Sequence, residues 1–247
     1  MKNTLTLIIV LLAANMLYSQ NTMYIHQTSG NVVNYPIAGI DSITFGMQQG
    51  TVTDIDGNLY DTIRICDQTW LKQNLKVTHY NNGAPIHYVT DFDMWDTLVT
   101  GAMCYYNNDS VAYKGTYGNL YNWYAVNTGN LCPTGWHAPS DVEWTTLEDC
   151  LGGNLIAGGK LKEAGVLHWS SPNDEATNSS GFTALPGGYR DSNGAYSTIY
   201  DKGCWWSSTG SSATYAWFRS LYYTSEGVSR GNLSRTFGHS VRCLKDQ

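Results

Sequence analysis

Six cysteines, Cys66, Cys104, Cys132, Cys150, Cys204 and Cys243, are spread along a chain that opens on an apolar leader. An even number of cysteines behind such a leader predicts three disulfides formed in an oxidising compartment. Cross-links of this kind let a chain fold around loops instead of long helices. On spacing alone the pairing stays open. No two cysteines make a CxxC, so neither a zinc knuckle nor a thioredoxin-type pair is indicated. The leader, MKNTLTLIIVLLAANMLYS, has Lys2 near its start, an apolar run from Leu5 to Leu12 broken by Thr6, and a cleavage point after Ser19. It predicts a secretory signal peptide over residues 1–19, too short for a membrane span. No cysteine stands at the cut to carry a lipid, and no other apolar run is long enough to span, so no membrane span is expected. The expected product is secreted, periplasmic or held at the cell surface.

The chain has no basic block. Its 14 Lys and Arg face 20 Asp and Glu, a net charge of −6, which argues against a nucleic-acid partner. Charged residues are only 14%, so the surface must rely on hydroxyls and amides. Nine Trp and 18 Tyr supply either core or faces on which a ligand can stack.

Residues 20–50 form a paragraph of their own. MYIHQ alternates, TSGN turns, VVNYPI extends and IDSITF follows, which predicts a small hairpin and a linker ahead of a main domain at 51–247. DIDGN, Asp54 to Asn58, reads as an Asp-Gly turn between strands. As an EF-hand loop it would need a glutamate where Ile65 stands. Asn119 is predicted to cap a short helix running to Val126. Ser140 reads as the N-cap of the next helix, with Glu143 completing a capping box and Asp141 also in the first turn, where the helix dipole favours acids. Val142, Trp144, Leu147 and Leu151 would form its apolar face, and Gly152-Gly153 would stop it. Both carboxylates thus have structural work, and His137 is expected to be packed and hydrogen-bonded. A third helix is expected over Ala157 to Ala164. Beyond Asn178, FTALPGGYRD, GAYSTIY, CWWSST, YAWFRSLYY and HSVRCLKD are predicted as five short strands.

Catalytic motifs are sparse. His26, His79, His87, His137, His168 and His239 contain no HxH or HxxxH, so no metal set is expected. Ser179-Ser180 and Ser207-Ser208 lack a GxSxG frame, and the glycine pairs read as turns, not as a phosphate loop.

DIDGNLYDTI, QTWLKQNLKVTHY, YYNND, YGNLYNWYAV, CPTGWHAPSDVEWTTL, LGG, AGGKLKEAG, HWSSPNDEATNSSGFTALPGGYR, WWSST and HSVRCLKD follow one another over most of the chain. Through these strings the chain from about Thr51 to Asp246 resembles the Fibrobacter succinogenes major paralogous domain, and its leader hairpin is similar to a front end of secreted Bacteroidetes proteins. The resemblance implies one α+β domain of C-type lectin-like fold. Antiparallel sheets, two or three short helices and long loops are expected, with a closing strand near the N-terminal strands and the small hairpin ahead of them.

The same resemblance puts cysteines at CPTGWH and SVRC and so implies Cys132–Cys243. Nearness in the N-terminal half then suggests Cys66–Cys104, leaving Cys150–Cys204. The fold group includes the formylglycine-generating enzyme, which uses reactive cysteines and copper. Here neither Cys204 nor Cys243 has the basic or histidine neighbours that would activate it, so no enzyme is expected. Lectins of the group hold calcium on long loops, and SSPNDEATNSS offers Asn173, Asp174, Glu175 and Asn178. Ser171 stands where the lectin glutamate would be, so calcium is the sole cofactor candidate and none is expected. Fold alone does not assign activity. The leading expectation is a binding module for a glycan or protein at the cell surface. Its aromatic-rich loops would be lined by Trp169, Asn173, Asp174, Tyr189, Arg190, Trp205 and Trp206. Its rivals are an oxidase-like enzyme and a structural surface component without a ligand.

Overall fold

The computed structural model describes residues 22–26, 32–36 and 50–247. The leader peptide and the IDSITF run lie outside the described residues. The chain divides into two compact units, Met1–Gly46 and Met47–Gln247. In the first, β1 (Thr22–His26) and β2 (Val32–Pro36) pair antiparallel, with Thr22 opposite Pro36 and His26 opposite Val32.

The second unit begins with β3 (Thr51–Thr53) and β4 (Leu59–Ile65), joined by the Asp54–Asn58 turn. Asp54 Oδ1 accepts the amides of Asp56 and Asn58, and Oδ2 accepts the Tyr60 hydroxyl at 2.6 Å. Gly57 supplies the left-handed φ of +80° that the turn requires. Next come β5 (Gln68–Leu71), β6 (His87–Tyr88), α1 (Phe92–Asp96), β7 (Ala102–Cys104) and α2 (Ser110–Tyr117). Then follow β8 (Leu120–Tyr121), α3 (Trp123–Val126), β9 (Trp136–His137), α4 (Asp141–Cys150) and α5 (Ala157–Leu161). The last third holds β10 (Gly187–Arg190), β11 (Tyr196–Ile199), β12 (Lys202–Gly210), β13 (Tyr215–Tyr222), β14 (Val228–Ser234) and β15 (Leu244–Lys245).

This is an α+β arrangement of largely antiparallel sheets. Five strands run in the order β3-β4-β5-β15-β9, three as β6-β7-β8, and five as β11-β10-β12-β13-β14. Parallel pairing occurs only between β6 and β7 and between β10 and β12 among these strands. The late strand β15 inserts between early ones, with Leu244 opposite both Trp70 and His137.

Helix α4 is built as its residues dictate. Ser140 Oγ accepts the Glu143 amide, and Glu143 reaches back to the Ser140 amide at 2.7 Å. Trp144 and Leu147 are buried, whereas Val142 is 72% exposed and leaves the apolar face. Several expectations are corrected. Five short α-helices are present among the described residues, not two or three. Asp91 and Asp109 cap two of them, α1 and α2, accepting first-turn amides. The helix expected from Asn119 starts at Trp123 instead, capped by Asn122. Asn119 is fully buried, its amide bonded to the Val77 carbonyl, while Tyr121 pairs with Met103. Tertiary pairing there overrides local helix preference. The helix after Ala157 ends at Leu161 because Lys162 turns into extended backbone. Strand β14 has no counterpart among the expected segments, since VSRGNLS is a polar edge strand with little apolar alternation.

Two disulfides form. Cys132 bonds Cys243 with a Cα separation of 6.0 Å, and Cys66 bonds Cys150 at 6.7 Å. The proposed pairs Cys66–Cys104 and Cys150–Cys204 are therefore overturned. Helix α4 lies on β5, with Trp144 packed 4.8 Å from Trp70 and the Gln68 side chain donating to the Glu143 carbonyl. That docking carries Cys150, at the end of α4, to the turn that follows β4. Cys104 is buried with Trp95, Tyr106 and Leu120, and Cys204 with Trp206 and Phe218, in separate hydrophobic clusters.

At the centre of the unit, Asn74 uses its whole amide. Its Oδ1 accepts Trp205 Nε1 at 2.8 Å and Arg242 Nη2 at 3.0 Å, and its Nδ2 donates to the Tyr117 carbonyl and to Ser240 Oγ. One side chain thus ties the segment after β5, the end of α2, strand β12 and the run into β15.

Thiol titration should find no reactive thiol in the native, unreduced protein and two after denaturation. Four or six would contradict these pairings. Replacing both Cys132 and Cys243 by alanine should lower the unfolding free energy by about 4–5 kcal/mol, read from urea denaturation, because it releases a long closed loop.

Candidate functional site

Five of the seven residues expected to meet a ligand face inward. Trp169, Trp205, Trp206 and Arg190 are at most 2% exposed and Asn173 is 5% exposed. Each indole N–H is spent inside: Trp169 on the Ala184 carbonyl, Trp205 on Asn74, Trp206 on the Tyr121 carbonyl. Arg190 donates to the carbonyls of Val89, Thr90, Asp91 and Gly194 and lies 4.3 Å from the Trp95 ring. It clamps the loop before α1 rather than a ligand. Stacking of a ligand on these tryptophans is thereby overturned, because large rings won the competition for the core. Asp174 and Tyr189 remain half-buried.

The loop that carries Asn173 and Asp174 is organised by a lysine. The Lys162 ammonium is fully buried and donates to the carbonyls of Asp174 (2.8 Å), Tyr222 (3.1 Å) and Ser225 (2.8 Å). Burial pulls its pKa down to about 8. Asn173 Nδ2 closes the same loop onto the carbonyls of Glu163 and Gly165. The positive charge at this place belongs to the chain itself. Among the described residues, no three or more His, Cys, Asp or Glu converge as a metal set.

Neither unbonded thiol is placed for chemistry. Burial pushes Cys104 up to about 11 and Cys204 up to about 12, so neither is a thiolate at neutral pH. Asp54 borders a shallow cleft of about 270 Å³ with Thr53, Ile55, Asn81, Pro133 and Thr134, but its oxygens are held by its own turn.

His137 sits between two carboxylates, with Nδ1 2.6 Å from Asp246 and Nε2 3.0 Å from Glu143. The hydrogen bond to Glu143, joined by that to Asp246, raises it to about 9, and the histidine in turn lowers Glu143 to about 2. The group fastens the residues after β15 to the start of α4. Asp141 does similar work, receiving the buried Arg219 at 2.6 Å and Arg230 at 2.7 Å.

What the surface does present is tyrosine. Tyr106 lies 5.2 Å from Tyr113 and 5.3 Å from Tyr196, and Tyr117 lies 6.3 Å from Tyr113, 6.2 Å from Tyr200 and 5.9 Å from His168. Helix α2 with the turn just before it, the loop that carries His168, strand β11 and the turn before β12 bring them together. Tyr106 and Tyr117 form the buried floor, Tyr113, Tyr196 and His168 are half-buried, and Tyr200 is 46% exposed. No single stretch of sequence displays this group, because its members come from three segments about 30 to 90 residues apart. The YYNND string and the two tyrosines of AYSTIY are its only trace in the sequence.

A family model described as the Fibrobacter succinogenes major domain matches residues 63–245. The chain belongs to that family. No curated protein and no solved structure matches it. The matched span of the Fibrobacter succinogenes major domain encloses both disulfides, Lys162, His137 with Glu143 and the tyrosine surface, while the β1–β2 hairpin precedes it and Asp246 follows it.

Replacing Lys162 by methionine should strand three carbonyls at a cost of about 2–3 kcal/mol and speed amide exchange at Asp174 and Thr177 in the Fibrobacter succinogenes major domain. Adding or chelating calcium should leave the melting temperature of the unaltered protein unchanged. The His137 group sets a pH window. Its raised histidine contributes fully below about pH 6.5 and loses that contribution as pH rises through about 9. Its lowered glutamate contributes above about pH 4.5 and fails as pH falls through about 2. With both side chains about a third exposed, the effect should be about 1 kcal/mol. Melting curves of His137→Gln should lack the decline between pH 6.5 and 9 that the unaltered protein shows.

Proposed function

We propose that this chain is a secreted or surface-exposed binding module, of C-type lectin-like fold, that meets a glycan or a protein through its tyrosine surface. The observation that carries the reading is the run of rings from Tyr106 through Tyr113 and Tyr117 to Tyr200 and His168, in which a buried floor leads through half-buried rings to the exposed Tyr200. Tyrosine pairs an apolar face with a hydroxyl at its rim, which suits both the C–H face of a sugar and its hydroxyls.

Backbone strain at this place supports the reading. Tyr200 holds a φ of +71° and nearby Thr198 one of +60°, both unusual for residues with bulky or branched side chains. The turn is enforced by the Tyr200 amide bonding the Pro186 carbonyl and by Ser170 bonding the Tyr200 carbonyl. Left-handed residues of this kind cost about 1–3 kcal/mol and cluster at ligand-holding sites. The oxidase-like alternative needs accessible thiolates, and the burial of Cys104 and Cys204 in separate clusters weighs against it. A structural component without a ligand remains an outcome of the test.

The test is a glycan array and a panel of purified surface proteins, probed with the unaltered protein, Tyr113→Ala and Tyr200→Ala. Each substitution should weaken a detected interaction roughly tenfold. An interaction indifferent to both changes, or no interaction at all, would sink this proposal.

A further inference from the structure

A second aromatic group surrounds Lys202. The pairing of β12 with β13 sets Lys202 opposite Tyr222, Cys204 opposite Ser220 and Trp206 opposite Phe218. Directly opposed residues share a face of a sheet, so these side chains line one face, buried at Cys204, Trp206 and Phe218 and reaching solvent at Lys202 and Tyr222. The Lys202 ammonium lies 4.7 Å from the Tyr222 ring centroid and 5.7 Å from those of Tyr189 and Phe218. Phe237 extends the group, 6.0 Å from Tyr189. Lys202, Tyr189 and Phe237 are half-buried, and Tyr222 is 37% exposed.

Two features set this group apart from a packed core. First, Lys202 forms no ion pair with a carboxylate and no hydrogen bond to an acceptor among the described residues. Lys162 meets three carbonyls and Arg219 meets two carboxylates, whereas Lys202 meets only rings. Second, His239 lies fully buried beneath it, 4.4 Å from Trp206, 5.0 Å from Phe218 and 5.9 Å from both Tyr189 and Phe237. Neither of its ring nitrogens has a hydrogen-bond partner. Burial, aided by the Lys202 charge, lowers its pKa to about 3, so it stays neutral and adds no second positive charge.

We propose that Lys202, Tyr189, Tyr222 and Phe237 form a subsite for a carboxylated sugar, a uronic-acid residue. The ammonium takes the carboxylate in a charge-assisted hydrogen bond, and the rings take the C–H face of the pyranose. A single ammonium without arginine or clustered backbone amides suits one negative charge better than a phosphate. A short acidic side chain of a peptide would leave the rings uncovered. The inference extends the binding-module reading and rests on it, but uses a separate set of residues.

The test is a calorimetric titration of the full chain with tetragalacturonate and with its fully methyl-esterified form, which keeps the rings and loses the charge. The acid should bind about tenfold more tightly than the ester, with the difference shrinking at high salt. Lys202→Gln should abolish the preference, Lys202→Arg should retain it, and Tyr222→Ala should weaken both ligands. Thermal melts of each variant establish that it is folded. Equal binding of acid and ester, unaltered acid binding by Lys202→Gln, or no binding of either ligand would overturn the subsite. If interactions at Tyr113 and Tyr200 persist in any of those cases, the tyrosine surface stands without it.

Discussion

The amide of Asn74 is the tie on which the larger unit depends. It is buried, both of its side-chain polar atoms are used, and its partners come from three other parts of the chain. Arg242 is the partner with most at stake. It is fully enclosed with no carboxylate near, so the Asn74 oxygen and the carbonyls of Phe182 and Thr183 must carry its whole desolvation cost. The Phe182 ring, 4.1 Å from the guanidinium, completes its surroundings. An amide in that place fixes the closing segment more narrowly than apolar packing could, because its hydrogen bonds have direction.

The same solution recurs. Arg190, Lys162 and Arg242 are buried cations satisfied by carbonyl and amide oxygens and by aromatic faces, and of the buried cations among the described residues only Arg219 relies on carboxylates. A fold rich in loops has many carbonyls outside helices and sheets that need donors. A long cationic side chain can reach two or three of them at once. This accounts for a chain of few charges that nevertheless buries several of them. Lys202 then stands out as a cation held by rings alone.

How far the residues announced this structure depended on the range of the interaction. Ser140 and Glu143 cap α4 as their spacing requires, and DIDGN closes a hairpin through Asp54, since both are local chemistry. Asn122 rather than Asn119 caps α3, because Asn119 was claimed by the Val77 carbonyl from another segment. The partner of Cys66 was hidden for the same reason: only the docking of α4 on β5 reveals Cys150 beside it. Ring, amide and guanidinium character points to a ligand surface at Trp169, Asn173, Arg190, Trp205 and Trp206, and the same character serves the core equally well. The tyrosine surface is assembled from α2, β11 and a turn, so no contiguous string could display it.

Strand β15 bears on biogenesis. Because Leu244 lies between Trp70 and His137, neither flanking strand has its neighbour until residue 244 has emerged from whatever machinery delivers the chain. The Cys132–Cys243 bond falls under the same delay. Completion of this sheet therefore waits on a contact between Leu244 and Trp70, residues far apart along the chain, and is late relative to the local turns and helices.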